Sequence, residues 1–115
     1  MRVKRGVASH KRHNKIRRQT KGMTKAHRSS VKRGKQAVTR SLAFSYRDRR
    51  NRKRTFRSLW NARINAAARI NNTTYSRLIS GMKKAGINLD RKVLAELAVN
   101  EPLAFKAVVD TAIKK

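Results

Sequence analysis

The sequence predicts an all-α protein, with a long basic helical N-terminal extension followed by a small helical C-terminal domain. Three observations predict it. From Met23 to Ile70 there is no proline and a single glycine, Gly34, in a stretch dominated by Arg, Lys, Gln, Ala and Leu, all compatible with a helix. Residues 70–115 carry three apolar segments at helical spacing, each with a capping residue ahead of it. No stretch alternates apolar and polar residues for long enough to read as a strand, and no internal repeat is visible. The boundary is placed near residue 55. Residues 1–55 form a basic extended or helical arm and residues 56–115 a globular domain, with a long helix of about 25–70 crossing between them.

Charge and apolar content divide the chain at the same level. The 115 residues hold 32 Lys and Arg against 5 Asp and Glu, a formal charge of +27. Residues 1–60 contain 22 of the cations and one acid, Asp48, whereas residues 61–115 contain 10 cations and four acids. Apolar residues number 14 in residues 1–55 and 30 in residues 56–115. Only the second half can bury a core of ordinary density, and a core of that size is small. The first half needs a polyanion to offset its self-repulsion: nucleic acid, an acidic membrane surface or an acidic protein.

Taken in order, the first element is a short helix in ASHKRHNKIRRQTK. Ser9 is its expected cap, it runs to about Thr20, and Gly22 lies just past its end. With Ile16 and Ala8 as its apolar members it has no face with which to fold unaided, so it is expected to order when phosphates neutralise it. The long helix follows, roughly 45 residues and about 65–70 Å at 1.5 Å per residue. A core of some 60 residues cannot cover such a rod, and like charges at i,i+4 oppose it in water.

Three short helices complete the chain. The first is capped by Thr73 or Thr74, carries Tyr75, Leu78, Ile79 and Met82 on one face and ends at Gly86. The second is capped by Asn88 or Asp90 and carries Val93, Leu94 and Leu97. The third is capped by Asn100, has Glu101 and Pro102 in its first turn, and carries Leu103, Phe105, Val108, Val109 and Ala112. With the end of the long helix they supply the expected core: Phe56, Trp60, Ile64, Leu78, Ile79, Met82, Val93, Leu94, Leu97, Phe105, Val108 and Val109.

The segment YRDRRNRKRTFRSLW, Tyr46–Trp60, joins the polycation to the core without Pro or Gly. At about 100° per residue Phe56, Leu59, Trp60, Ile64 and Ala67 share one side, and the same side carries Arg49, Arg52 and Lys53 further toward the N-terminus. The apolar stripe thus becomes cationic between Lys53 and Phe56, where the protein core is expected to end. Arg47, Arg50, Arg54 and Arg57 occupy the opposite side, so the helix is basic nearly all round. Arginine predominates, and its planar fork grips phosphate through two hydrogen bonds and stacks on bases. Asp48 lies four residues before Arg52, a spacing that suits a local ion pair of about 0.3–0.5 kcal/mol; a specific hydrogen bond to a base or a ribose hydroxyl is the alternative reading.

Catalytic and metal chemistry find little support. There is no cysteine, which excludes disulfides and thiolate metal sites. His10 and His13 have H-x-x-H spacing but no acid near enough to complete a site. The basic half lacks a carboxylate to orient a histidine base, and no glycine-rich phosphate loop occurs. No enzyme activity, metal, cofactor or small-molecule substrate is expected. No apolar run reaches the roughly 18 residues of a membrane span, and MRVKRGVASHKRH lacks the apolar segment of a secretory signal. A soluble protein retained where it is made is expected, with no membrane partner. The basic half is short of aromatics (Phe44, Tyr46, Phe56 and Trp60), which argues against a stacking platform for single strands. Many phosphate contacts inside a folded RNA suit this composition better.

MRVKRGV, SYRDRRNRKRTFRSLWNARINAAAR and YSRLISGMKKAGINLDRKVLAELAVNEPLAF together resemble the bacterial large-subunit ribosomal protein L-twenty family over nearly the whole chain. The resemblance implies long basic helices that penetrate large-subunit (23S) ribosomal RNA and a small helical domain on the RNA surface. It implies a role in early assembly of the large (50S) subunit, beside neighbouring ribosomal proteins, in the cytoplasm of a bacterium or, as an alternative, in an organelle. In some members it also implies repression of the protein's own operon through its mRNA. Within the matched motif it implies RNA contact by Arg47, Arg49, Arg50, Arg52, Arg54, Arg57 and Arg63, the last beside Trp60 at the edge of the core, from where it can reach a phosphate. Lys53 and the arm cations Arg2, Lys4, Arg5, Lys11, Arg12, Lys15, Arg17, Arg18, Lys21, Arg28, Lys32 and Arg33 complete the candidate RNA-binding set. After Gly22 the chain departs from the family pattern, with MTKAHRSS where an aromatic and an Arg-Gly pair are usual.

Overall fold

The computed structural model describes residues 4–113. Among them there is no strand, and six helices follow one another: α1 (Gly6–Gln19), α2 (Lys25–Ser29), α3 (Val31–Ile70), α4 (Tyr75–Lys84), α5 (Arg91–Asn100) and α6 (Pro102–Ile113). The protein is all-α, as expected. The residues group into two compact units, Met1–Arg50 and Asn51–Lys115, and the unbroken helix α3 contributes to both.

In the first unit, α1 begins three residues before Ser9, with Arg5 in the cap position and no side-chain capping bond. The backbone alone closes that first turn, Ser9 N–H donating to the Arg5 carbonyl at 3.3 Å. The helix ends at Thr20, which is completely buried and whose hydroxyl donates back to the Ile16 carbonyl at 3.1 Å. Gly22, at φ +85°, then turns the chain. The long helix starts at Val31 rather than near residue 25, because Ser30 is extended at φ −88° and ψ 122° and separates α2 from α3. The preceding Ser29 hydroxyl donates to the Lys25 carbonyl at 2.7 Å, the kind of local bond by which serine competes with helix propagation. Gly34 is buried where the three helices meet. A Cβ there would stand 2.9 Å from Ile16 Cγ2 and 3.0 Å from the His27 carbonyl oxygen. Ile16 therefore does have a protein surface to pack on, which its isolation in the sequence concealed.

The core of the second unit is Ile64 and Ala68 from α3, Leu78 and Met82 from α4, Leu94 and Ala95 from α5, and Phe105, Val109 and Ala112 from α6. Trp60, Tyr75, Ile79, Leu97 and Val108 pack against it, half-buried. Two expected core residues are exposed: Phe56 at 43% and Val93 at 40%. Phe56 lies two helical turns before Ile64, the first buried residue that α3 gives to the second unit. Its ring leans on Trp60 instead, centroids 6.3 Å apart. Val93 sits in the first turn of α5, whose buried face is set by Leu94, Ala95 and the half-buried Leu97 and Ala98.

Caps fix where these helices start and stop. The end of α3 is closed by Asn72 at φ +56°, with Thr73 N–H donating to the Ala68 carbonyl at 3.0 Å and Asn72 N–H to that of Arg69 at 3.1 Å. Gly86, at φ +70°, ends α4 in the same way, Ile87 N–H reaching the Met82 carbonyl at 2.9 Å. A left-handed residue past the last turn satisfies carbonyls the helix leaves unpaired. Of the alternatives at the starts, Thr74 caps α4 and Asp90 caps α5, its carboxylate accepting from Val93 N–H at 2.8 Å. Asn100 does not cap the last helix. It is the final residue of α5, and the Glu101 carbonyl takes the first bond of α6 from Phe105 N–H at 3.1 Å. Pro102 has no N–H to continue α5 and is pre-set for the first turn of a new helix.

Candidate nucleic-acid interface

Arginine and lysine are long side chains, and a helix that buries few of its residues presents them in all directions. On the first-unit part of α3 every residue from Thr39 to Arg50 is exposed. Arg47, Arg49 and Arg50 lie here, and Lys32 and Arg33 project from the first turn of α3. Lys11, Arg12, Lys15, Arg17 and Arg18 are exposed on α1, Arg28 on α2, Lys4 and Arg5 just before α1, and Lys21 in the turn after it. Arg2 falls outside the described residues. On the second-unit part of α3, Arg52, Lys53, Arg54, Arg57 and Arg63 are all exposed as well. Arg63 is not drawn into the core by its neighbour Trp60. The basic stretch of α3 reaches one turn further toward the C-terminus than expected, because burial begins at Trp60 and not at Phe56.

Among the described residues almost none of this charge is neutralised within the chain. Among the described residues one ion pair is formed, Arg47 Nη2 to Asp48 Oδ1 at 2.9 Å, with Arg47 Nε donating to the same oxygen at 3.0 Å. Asp48 was expected to pair with Arg52. Arg52 instead lies over the Phe56 ring, 5.7 Å from its centroid. The Arg47–Asp48 pair is more than half exposed, so it stabilises the fold by little; its effect is to fix the plane of one guanidinium.

The aromatics of the arm are occupied in a way that spacing alone does not disclose. The guanidinium carbons of Arg40 and Arg47 lie 5.4 Å and 4.6 Å from the Phe44 ring centroid, and those of Arg49 and Arg50 lie 6.0 Å and 4.9 Å from that of Tyr46. Such contacts contribute about 0.5–1 kcal/mol each at exposed sites and hold the guanidiniums in register along α3. Arg40, Lys25 and Lys35 are exposed in the same unit and belong with the cationic surface. They were absent from the candidate set, although charge alone would have included them. Arg91, by contrast, has a structural task. Its Nε donates to the Tyr75 hydroxyl at 2.9 Å, and that hydroxyl donates to Asn61 Oδ1 at 3.0 Å, linking α3, α4 and α5.

The histidines make only local bonds. Asn14 Nδ2 and His10 Nε2 lie 2.9 Å apart, and Thr24 Oγ1 and His27 Nδ1 2.8 Å apart. Among the described residues no three His, Cys, Asp or Glu side chains converge on a common point, and no helix is long and apolar enough to cross a membrane. The surface offers dispersed, exposed cations on regular helices, which is an arrangement for contacting phosphates.

Comparison with known proteins agrees with this geometry. The family model for ribosomal protein L20 matches residues 2–108. The large ribosomal subunit protein bL20 of Methylobacterium sp. (strain 4-46) is 56% identical over 111 residues, 96% of this chain and 89% of the relative. That of Marinobacter nauticus is 58% identical over 111 residues, covering 96% and 95%. That of Roseiflexus castenholzii is 55% identical over the same length, again covering 96% and 95%. The chain belongs to the ribosomal protein L20 family, structural and non-enzymatic proteins of the large ribosomal subunit.

Proposed function

We propose that this protein binds large-subunit (23S) ribosomal RNA directly through the exposed cations of α1 and α3, and that this binding is needed early in assembly of the large (50S) subunit. The supporting observation is the run Arg47, Arg49, Arg50, Arg52, Arg54 and Arg57, exposed throughout and with one internal ion pair among the described residues. Six guanidiniums on one helix repel one another unless an anion lies on each side, and A-form RNA supplies phosphates on that scale. The second unit contributes a helical body with fewer cations, suited to the RNA surface and to neighbouring ribosomal proteins. The protein works in the cytoplasm as part of the bacterial ribosome.

The test is the triple variant Arg50→Gln/Arg54→Gln/Arg57→Gln, titrated against an in vitro transcript of large-subunit rRNA at several salt concentrations. The slope of log affinity against log salt should fall by about one for each arginine removed. An unchanged slope, or competition by random duplex DNA as strong as by the rRNA, would count against direct and structure-selective RNA binding. We further propose repression of the protein's own message, a role the resemblance implies for some members of the family. It is tested by a reporter fused to its own leader sequence, whose expression should drop when the protein is overproduced in its host.

A further inference from the structure

The first unit contains a notch that phosphate binding does not explain. One wall is formed by Met23, Thr24 and His27, and the other by Ser41, Phe44 and Asp48 of α3. The α3 wall has small residues at every fourth position, Ala37, Ser41 and Ser45, which leaves depth beside the Phe44 ring. Phe44 remains 40% exposed on a surface otherwise made of cations. At the rim stands Asp48, the only carboxylate before Asp90. A carboxylate set among phosphate-binding arginines is unfavourable for a purely electrostatic surface.

From this geometry we infer that the notch seats a single unstacked nucleotide of the bound RNA, and that its base is one bearing an exocyclic amino group: adenine, cytosine or guanine. The inference rests on the reading that the protein binds ribosomal RNA. Three features carry it. The Arg47 guanidinium carbon lies 4.6 Å from the Phe44 ring centroid, which places a guanidinium beside a partly exposed ring, and splayed bases stack on both kinds of surface. Asp48 holds that guanidinium in place through Oδ1, and its other oxygen, Oδ2, makes no hydrogen bond among the described residues. A carboxylate oxygen accepts from a base amino group, as acidic side chains do with cytosine N4; uracil has no such group. Across the notch, His27 has Nδ1 engaged with Thr24 at 2.8 Å, which leaves Nε2 for a ribose hydroxyl or a base edge.

The full-length protein and an unmodified in vitro transcript of large-subunit rRNA provide the test. Ser41→Leu fills the notch without altering charge and replaces serine by a better helix former. Thr39→Leu, exposed on the same helix but not lining the notch, is the control. Base-edge reactivity to dimethyl sulfate and kethoxal, and to a carbodiimide that modifies unpaired uracil, is mapped along the RNA, and affinity is measured against salt. In the wild-type and Thr39→Leu complexes, at least one unpaired A, C or G should be protected. Ser41→Leu should lose that protection and bind about tenfold more weakly, with the salt slope and the helical circular dichroism unchanged. Ser45→Leu should repeat the result. Protection and affinity retained in Ser41→Leu would overturn the inference, as would equal losses in Ser41→Leu and Thr39→Leu. A protected nucleotide that proved to be uracil would overturn the role of Asp48. If the wild-type protein failed to bind the transcript at all, the rRNA-binding reading itself would fall, and that result is visible before any variant is made.

Discussion

At Gly81 a Cβ would overlap the carbonyl oxygen of Ala112 and come within 3.1 Å of its carbonyl carbon. The glycine is helical, so backbone freedom is not its purpose; it lets α4 and α6 approach to backbone contact. Replacing it by alanine would gain about 1 kcal/mol of helix propensity. The obstruction is main chain, which cannot swing aside as a long side chain could, and overpacking of this kind costs about 1–3 kcal/mol. With neighbouring Ala112 only 3% exposed and little room to relax, the clash should win. Gly81→Ala is expected to destabilise the second unit by about 1 kcal/mol net, lowering its thermal midpoint by roughly 4–8 °C. Circular dichroism melts of the variant and wild type check this, and an equal or higher midpoint would show that the helices can separate without loss. Nothing in ISGMKK marks this position in the sequence, since the contact depends on which residue of α6 arrives opposite. Gly86 is the contrasting case. Its place after an amphipathic segment already reads as a helix stop, because the left-handed turn there is a local requirement.

At the scale of elements, what was legible follows the same division between local and long-range causes. The helical character of every segment, the caps at Thr74 and Asp90 and the stop at Gly86 rest on residues within a turn of one another. The break at Ser30 and the extent of burial along α3 do not. Ser30 separates α2 from α3 where no proline or glycine announces it, and the placement of α2 beside α3 is what gives Ile16 and Gly34 their contacts. On α3 the wheel groups Phe56 with Trp60, against which its ring leans, but how far the core reaches depends on the lengths of α4, α5 and α6, and it stops short of Phe56. The result is a helix whose dense cationic run ends before Trp60 and whose contribution to the second unit's core starts at Ile64, with Arg63 exposed between its buried turns. Gly34 tests the first-unit junction directly. Gly34→Val would press branched methyls against Ile16 and the His27 carbonyl, already 2.9 Å and 3.0 Å from a bare Cβ, at a cost of about 2 kcal/mol. Amide exchange in residues 14–20 and 27–34 should accelerate about thirtyfold, with residues 64–112 unaffected. Unaltered exchange in the first set would mean that the junction carries no stability in the free protein.

At the scale of the whole molecule the two units differ in what holds them. The second owns the contiguous apolar core, Ile64 to Ala112, both closed helix ends with a left-handed residue at Asn72 and Gly86, and the Asn61–Tyr75–Arg91 bonds. The first has one buried threonine and one buried glycine among its described residues and 18 of the 32 cations. Anions should therefore favour its folded form, whereas the second buries a core of its own while leaving Ile70, Val99 and Leu103 exposed. We propose accordingly that the second unit is a domain in its own right. A fragment of residues 51–115 should be helical and unfold cooperatively, since it keeps every core residue. It retains 14 cations and 4 acids, a net charge of +10 against +27 for the whole chain, so its salt slope for rRNA should fall to roughly half or less of the full-length value. Measured by circular dichroism and salt titration, an unfolded fragment would place part of the stabilising core before residue 51. A fragment with the full-length slope would move the principal RNA-binding surface from α1 and the start of α3 onto the second unit.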